Sequence, residues 1–248
     1  MRALILAAGR GSRMQPLSDL TPKPLLPLAH KSLIVWQIER LRNAGVAEFV
    51  VNTGWLGAQI PAALGDGSAL GVRIVYSEEP EDAYETGGAI ATALPLLTSR
   101  DHEPFIVVSG DIYTDYDYAL LRAAAARIAA DPQATTAHFV LTDNPPHHPR
   151  GDMALGPDGR VRRLGHRLFN YGNIGVFHPD LFATQPARQA WKLFPWMYAE
   201  VDAGRVSGEH FRGVWHNIGT PEQLASLDAE LRTRAFHPAV RATPLGLS

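Results

Sequence analysis

Residues 3–14 read Ala3-Leu-Ile-Leu-Ala-Ala-Gly9-Arg-Gly11-Ser-Arg13-Met14. An apolar run of strand length stops abruptly in a loop that carries two glycines and two arginines. A continuous apolar run suits a strand buried on both faces of a parallel sheet. Glycines directly after such a strand let the backbone turn tightly and bring bare N–H groups against phosphate oxygens. Two familiar phosphate loops are excluded. Met14 stands where the dinucleotide fingerprint needs its third glycine, and no Gly-Lys-Ser/Thr follows, as a P-loop requires. The loop has cations instead. Arg13 lies two residues after Gly11, and Lys23 is held between two prolines in Thr21-Pro-Lys23-Pro24. Several fixed cations on a preorganised backbone are what a triphosphate needs. Lysine is also scarce: Lys23, Lys31 and Lys192 are the only ones in 248 residues.

Outward from this loop, short apolar runs alternate with helical patterns. Strands are expected at 3–7, 48–52, 73–76 and 105–108, with helices at 33–44 and 117–130. This is βαβ punctuation, and it predicts an α/β fold with a Rossmann-like open, mostly parallel mixed sheet. Right-handed crossovers place the C-terminal ends of such strands on one edge, where ligands of open α/β sheets bind. After Thr135 the texture changes. A strand at 136–141, a Pro- and His-containing loop at 143–152, a hairpin turn at Gly156-Pro-Asp-Gly159 and a strand through 174–177 read as additions to the sheet. Helices at 191–201 and 222–234 flank a short strand at 213–218, and the stretch beyond Phe236 reads as a loose end. The aromatic run Trp191 to Tyr198 is expected to serve core packing or a subunit contact. One domain over 1–235 accommodates all of this.

Composition narrows the function classes. The chain has 23 basic and 25 acidic side chains, a formal charge of -2, so it lacks the basic footprint of a protein that binds long nucleic acid. With no cysteine, disulfides, thiolate metal sites and cysteine nucleophiles are ruled out. No apolar run reaches the length of a bilayer span, and the first apolar stretch is too short for a signal peptide. A soluble, cytoplasmic protein is expected. The sequence does not give an oligomeric state.

The combination Gly9-Arg-Gly11-Ser-Arg13 and Lys23-Pro24 resembles the signature of the sugar 1-phosphate nucleotidyltransferases, Gly-x-Gly-Ser/Thr-Arg followed by Lys-Pro. The resemblance implies a nucleotide-diphospho-sugar transferase type of fold with an appended sugar-binding β region. It implies that Leu6, Ala8, Gly9, Gly11 and Ser12 wrap a nucleoside triphosphate, that Arg13 sits on the leaving pyrophosphate, and that Lys23 contacts the phosphates during transfer. Glu85-Thr-Gly87-Gly88 would border the nucleobase, making Gly87 and Gly88 base contacts, with Asn52 as a further candidate. Read alone, the same segment is a helix N-terminus with Thr86 as its cap. Asp111, after the buried run ending Ser109-Gly110, would ligate Mg²⁺, which binds through one or two carboxylates plus phosphate oxygens. The family's second metal carboxylate falls in Trp215-His-Asn217-Ile-Gly-Thr220, where Asn217 replaces the aspartate. An amide oxygen ligates a hard cation without adding negative charge, so cation affinity should fall. A weakly active nucleotide-sugar sensor is therefore the alternative from another class.

Within that family, Thr114-Asp-Tyr-Asp117, the 142–152 segment and Ser207-Gly-Glu-His-Phe-Arg-Gly213 are similar to segments of the bacterial N-acetylmuramate 1-phosphate uridylyltransferases of cell-wall recycling. This implies UTP and a sugar 1-phosphate as substrates, with residues 1–134 as the nucleotide half and 135–235 as the sugar half. Glucose, mannose or glucosamine 1-phosphate with another base is the nearer alternative. Muramate carries a lactyl carboxylate, which a forked guanidinium or a histidine donor could select. Arg150 is the candidate, with His147 and His148 beside it. Thr114 would meet sugar hydroxyls or, with Asp117, cap the following helix. Asn173 stands where relatives present a small Asn-Ala/Ser-Gly segment to the sugar.

Overall fold

The computed structural model describes residues 1–98 and 102–236. The expected loose end beyond Phe236 lies outside the described residues. In chain order the first part comprises β1 (Ala3–Leu6), α1 (Leu17–Leu20), β2 (Pro27–Leu28), β3 (Lys31–Ser32), α2 (Leu33–Asn43), β4 (Glu48–Thr53), α3 (Gln59–Leu64), β5 (Arg73–Glu78), α4 (Glu85–Leu97), β6 (Phe105–Ser109), β7 (Ile112–Thr114) and α5 (Leu121–Ala130). The second part comprises β8 (Ala137–Thr142), β9 (Ala154–Leu155), β10 (Val161–Arg162), β11 (Asn170–Phe177), α6 (Leu193–Trp196), α7 (Tyr198–Asp202), β12 (Val206–Phe211), β13 (Trp215–Asn217) and α8 (Pro221–Phe236).

A seven-stranded sheet in the order β12-β8-β11-β6-β1-β4-β5 forms the centre. β1 pairs in parallel with β4 and β6, β4 with β5, and β12 with β8; β11 runs antiparallel to both β6 and β8. The mostly parallel mixed sheet expected from the apolar runs is thus present. Within residues 135–211, β8, β11 and β12 join this sheet, while β9 and β10 pair with each other in a separate hairpin.

The runs are continuous because each strand serves two cores. In β1, Ala3 and Ile5 pack with Ile34, Ile38 and Leu41 of α2, whereas Leu4 packs with Ile90, Ala93 and Leu97 of α4. Leu4 and Ile5 are fully buried, and each such side chain contributes about 1.5–3 kcal/mol relative to exposure. A third cluster unites Met14, Leu26, Leu28 and Leu33 with Ile218, Leu224 and Leu227. It clamps the glycine loop and the lysine segment between α2 and α8, which fixes the loop from below.

Three sequence expectations need correction. The single helix at 191–201 is broken: only Leu193–Trp196 and Tyr198–Asp202 are helical, and within the first of these Phe194, directly before Pro195, is extended (φ -108°, ψ 136°). Proline disfavours helical geometry in the residue before it. β12, an edge strand, was not anticipated, since only Val206 is buried and its other residues are polar or half-exposed. α4 begins at Glu85 with Tyr84 as its flanking residue, so Thr86 lies inside the helix and caps nothing.

Candidate active site

The C-terminal ends of β1, β4, β5 and β6 meet on one edge, and the reversed β11 brings its N-terminal part to the same edge by pairing Ile174 with Val108. Three connected hollows open there, of about 630, 330 and 220 Å³. Leu6 lines all three.

The 330 Å³ hollow is the cationic one. Gly9, Gly11, Ser12, Arg13, Lys23 and Asp111 line it, together with Gly219 from the turn after β13. Gly11 has φ +63°, and a Cβ there would lie 3.2 Å from Lys23 Cβ and Cδ, so the close packing of loop against lysine requires glycine. The Gly11 carbonyl accepts from Met14 N–H at 2.8 Å and from Ser18 Oγ at 2.9 Å, which holds the loop curled. Gly9 is exposed with open space on its Cα. Lys23 is only 7% exposed, and its ammonium contacts the Asp111 carboxylate. Arg13 is exposed, with its guanidinium over Gly219.

Asp111 and Asn217 come together through strand pairing. β13 pairs antiparallel with β7, setting Asn217 opposite Ile112, and Ile218 N–H donates to the Asp111 carbonyl at 3.1 Å. A segment more than a hundred residues downstream is thereby stitched to the end of β6.

The 630 Å³ hollow adjoins the cationic one through Gly9 and Asp111 and is lined further by Ala8, Arg10, Asn52, Trp55, Glu79, Thr86 and Ser109. Asn52 is buried at the wall of this hollow. Its Oδ1 accepts from Ala7 N–H at 2.6 Å, and its amide donates to Glu79 at 2.7 Å. The residue therefore props the loop, and its amide keeps a second N–H. Glu79 also accepts from Tyr84 N–H at 2.8 Å. Burial pushes its carboxyl above the ordinary carboxylate value, while the Asn52 and Tyr84 donors pull it back.

Gly87 and Gly88 face away from this hollow. Both amides donate to the Trp191 carbonyl, at 3.0 and 3.2 Å. A Cβ on Gly87 would overlap the Trp191 ring, and one on Gly88 would lie 1.9 Å from the Gln189 carbonyl oxygen. Their smallness lets the 189–191 segment dock on α4. Glu85, Thr86 and Ala89 of the same helix line the hollow instead.

The 220 Å³ hollow is walled by Tyr171, Asn173, Leu193 and Phe194, with Glu85, Thr86, Ser109 and Lys192 at its polar side. Asn173 reaches it from a bulge in β11 and has φ +56°. Thr114 does not. It is fully buried, and its hydroxyl accepts from Tyr116 N–H at 3.1 Å. Asp117 takes the capping role, accepting from Ala119 N–H at 2.9 Å. Arg150 is exposed in the 143–152 loop and lines none of the three hollows. His147 is exposed too, and His148 lies 2.9 Å from Asp152 through Nε2. Gly9, Gly11, Ser12, Arg13, Lys23 and Asp111 thus share one hollow, whereas Gly87, Gly88, Thr114, Arg150 and Asn217 line none of the three.

Sequence reasoning missed Trp55, Glu79, Ser109, Glu85 and Lys192. Trp55 had a visible signal, a large aromatic just past the end of an apolar run. Its N–H donates to the Ala8 carbonyl at 3.0 Å, its indole N–H to the Ser18 carbonyl at 2.8 Å, and Arg10 stacks on its ring at 4.2 Å. Among the described residues no helix is long and apolar enough to cross a membrane.

Comparison with known proteins agrees with this geometry. The sequence profile of the nucleotidyl transferase family matches residues 2–234. The chain is 46% identical over 231 residues to N-acetylmuramate alpha-1-phosphate uridylyltransferase of Neisseria meningitidis serogroup B, covering 92% of this chain and 97% of the relative. It is 34% identical over 237 residues to the protein of the same name from Caulobacter vibrioides, covering 92% and 96%. In fold it matches a crystal structure of a candidate glucose-1-phosphate thymidylyltransferase from Bacillus anthracis in complex with a sucrose. That match has a TM-score of 0.78 and 20% identity, over 94% of this chain and 95% of that one.

Proposed function

Given that the chain belongs to the nucleotidyl transferase family, we propose that it transfers a uridylyl group from UTP to N-acetylmuramate α-1-phosphate, releasing pyrophosphate. The observation that carries this is the convergence of Arg13, Lys23 and Asp111 on one hollow, in a chain nearly collinear with uridylyltransferase relatives. The product would be a UDP-sugar for peptidoglycan recycling, in the cytoplasm.

A phosphate oxygen of the sugar 1-phosphate attacks the α-phosphorus of UTP. A new P–O bond forms as the bond from that phosphorus to the β-bridging oxygen breaks, and the electron pair leaves on pyrophosphate. The anomeric bond of the sugar is untouched. The attacking phosphate is already anionic near neutral pH, so no general base is required, and catalysis reduces to positioning and charge neutralisation. Lys23, braced in its buried channel, and Arg13, at the rim, neutralise the triphosphate. Free amides of the glycine loop hold it in line. The large hollow, floored by Ala8 and Gly9 and backed by Trp55, suits the base and ribose; the hollow walled by Tyr171 and Phe194 suits the sugar.

A magnesium ion fits the same arrangement. Asp111, in the turn between β6 and β7, offers a carboxylate to the cationic hollow, and Asn217, next to the Ile218 amide that bonds the Asp111 carbonyl, offers an amide oxygen nearby in the backbone. Among the described residues no group of three or more His, Cys, Asp or Glu forms a closed cage. Magnesium is held in this way by one or two protein oxygens and substrate phosphates. When bound, it would neutralise charge on the transferring phosphoryl group.

Pyrophosphate release measured across UTP, GTP, TTP and ATP, each with N-acetylmuramate, N-acetylglucosamine, glucose and mannose 1-phosphates, tests the assignment. UTP with N-acetylmuramate α-1-phosphate should give the highest kcat/KM. A higher value for any other pair would replace it.

A further inference from the structure

Lys192 has no role in the chemistry described so far, yet it lines the 220 Å³ hollow. It is one of only three lysines in the chain. The other two are paired: Lys23 contacts Asp111, and Lys31 contacts Glu39. Among the described residues nothing pairs with Lys192. It projects from the residue before α6, exposed, beside the aromatic wall of Phe194 and Tyr171. Glu85, across the hollow, forms no ion pair with it. An exposed, unpaired lysine lining a sugar-sized hollow with an aromatic wall is suited to a ligand that is part apolar and part anionic.

Arg13, Lys23 and Asp111, the groups assigned to the phosphates, line a neighbouring hollow and not the one that contains Lys192. Lys192 is thus placed on the acceptor side, where a second negative charge, separate from the phosphate, would complement it. In N-acetylmuramate 1-phosphate the only such charge is the lactyl ether carboxylate, whose methyl group would lie against the aromatic wall.

Resting on the reaction proposed above, we propose that Lys192 is the specificity-determining residue that receives the lactyl carboxylate and selects the acidic sugar over its neutral counterpart. A charge-assisted hydrogen bond to an ammonium accounts for a factor of about 10 to 100 in discrimination.

The test compares kcat/KM for N-acetylmuramate 1-phosphate and N-acetylglucosamine 1-phosphate, with UTP, in wild type, Lys192→Gln, Lys192→Met and Lys192→Arg. The preference ratio should fall by about 10- to 100-fold in the glutamine and methionine variants and be largely restored by arginine. The loss should appear in KM of the acidic sugar more than in kcat. A ratio unchanged in both neutral variants, including a case where both sugars lose rate equally as a phosphate contact would cause, overturns the assignment of Lys192. A wild-type enzyme that prefers the neutral sugar overturns the underlying reaction instead.

Discussion

Replacing Gly88 by alanine separates two roles for the start of α4. If this glycine meets the nucleobase, the added methyl should weaken UTP binding and leave folding alone. The structure assigns it to packing: the methyl would lie 1.9 Å from the Gln189 carbonyl oxygen and 3.0 Å from Tyr84 Cβ. The obstacle is backbone, so the 189–191 segment must retreat by about an ångström, giving up the Trp191 carbonyl as acceptor for two helix amides. Overpacking of this kind costs about 1–3 kcal/mol, toward the upper end where no flexible side chain can yield. Alanine returns about 1 kcal/mol through helix propensity. The net loss is about 2 kcal/mol, which for a chain of this size lowers Tm by about 4–8 °C. Calorimetry gives the Tm, and titration calorimetry gives UTP affinity, expected within about threefold of wild type, because Gly88 lines none of the hollows. The sugar KM should rise instead, since the displaced segment leads directly into Lys192. An unchanged Tm together with a tenfold loss of UTP affinity would refute the packing role.

Lys23→Ala should lower kcat by about 10²- to 10³-fold, as loss of a preorganised electrostatic donor does elsewhere, measured as single-turnover pyrophosphate release at saturating substrates. Asn217→Asp should restore a second carboxylate beside Asp111 and lower the magnesium concentration for half-maximal rate; no turnover in either form, with nucleotide still bound in calorimetry, would favour a sensor. Glu200 accepts from Arg205 at 2.8 and 2.6 Å, and this partner holds its carboxyl below the ordinary value. The folded state therefore binds its proton less readily than the unfolded chain. The resulting stability is complete above the ordinary glutamate pKa and is lost as pH falls through the depressed one. Glu200→Gln should cost about 1 kcal/mol near pH 7 and flatten the acid limb of a urea stability profile below the ordinary glutamate pKa.

The phosphate side of the site was legible because its determinants are local. A buried strand, the glycines directly after it, and a lysine locked by two prolines all fall within residues 3–24. Asp111 was legible for the same reason, as the residue after a strand that ends in Ser109-Gly110. The base and sugar sides depend on contacts that no local pattern encodes. Gly87 and Gly88 look like a ligand loop until Trp191 is docked on them, about a hundred residues away in the chain. That Asn52 braces the loop shows only once Glu79 arrives from the end of the next strand. Arg150 draws the eye as a carboxylate partner because its loop is conspicuously rich in Pro and His, yet it lines none of the hollows, whereas Lys192, which lines one, sits in a run that reads as core. β12 escaped because an edge strand with one buried residue carries no apolar periodicity.

The reversed strand β11 sits between β6 and β8, bonded to both. A chain cut near residue 134 would leave the long, apolar flank of β6 with unsatisfied amides and carbonyls, an invitation to self-association. The portion that cradles the nucleotide is consequently no portable module. Evolution, or an engineer, can exchange the acceptor-binding side only by recasting strands within a continuous sheet, and any closure around substrates must come from the surrounding loops rather than from a hinge between lobes.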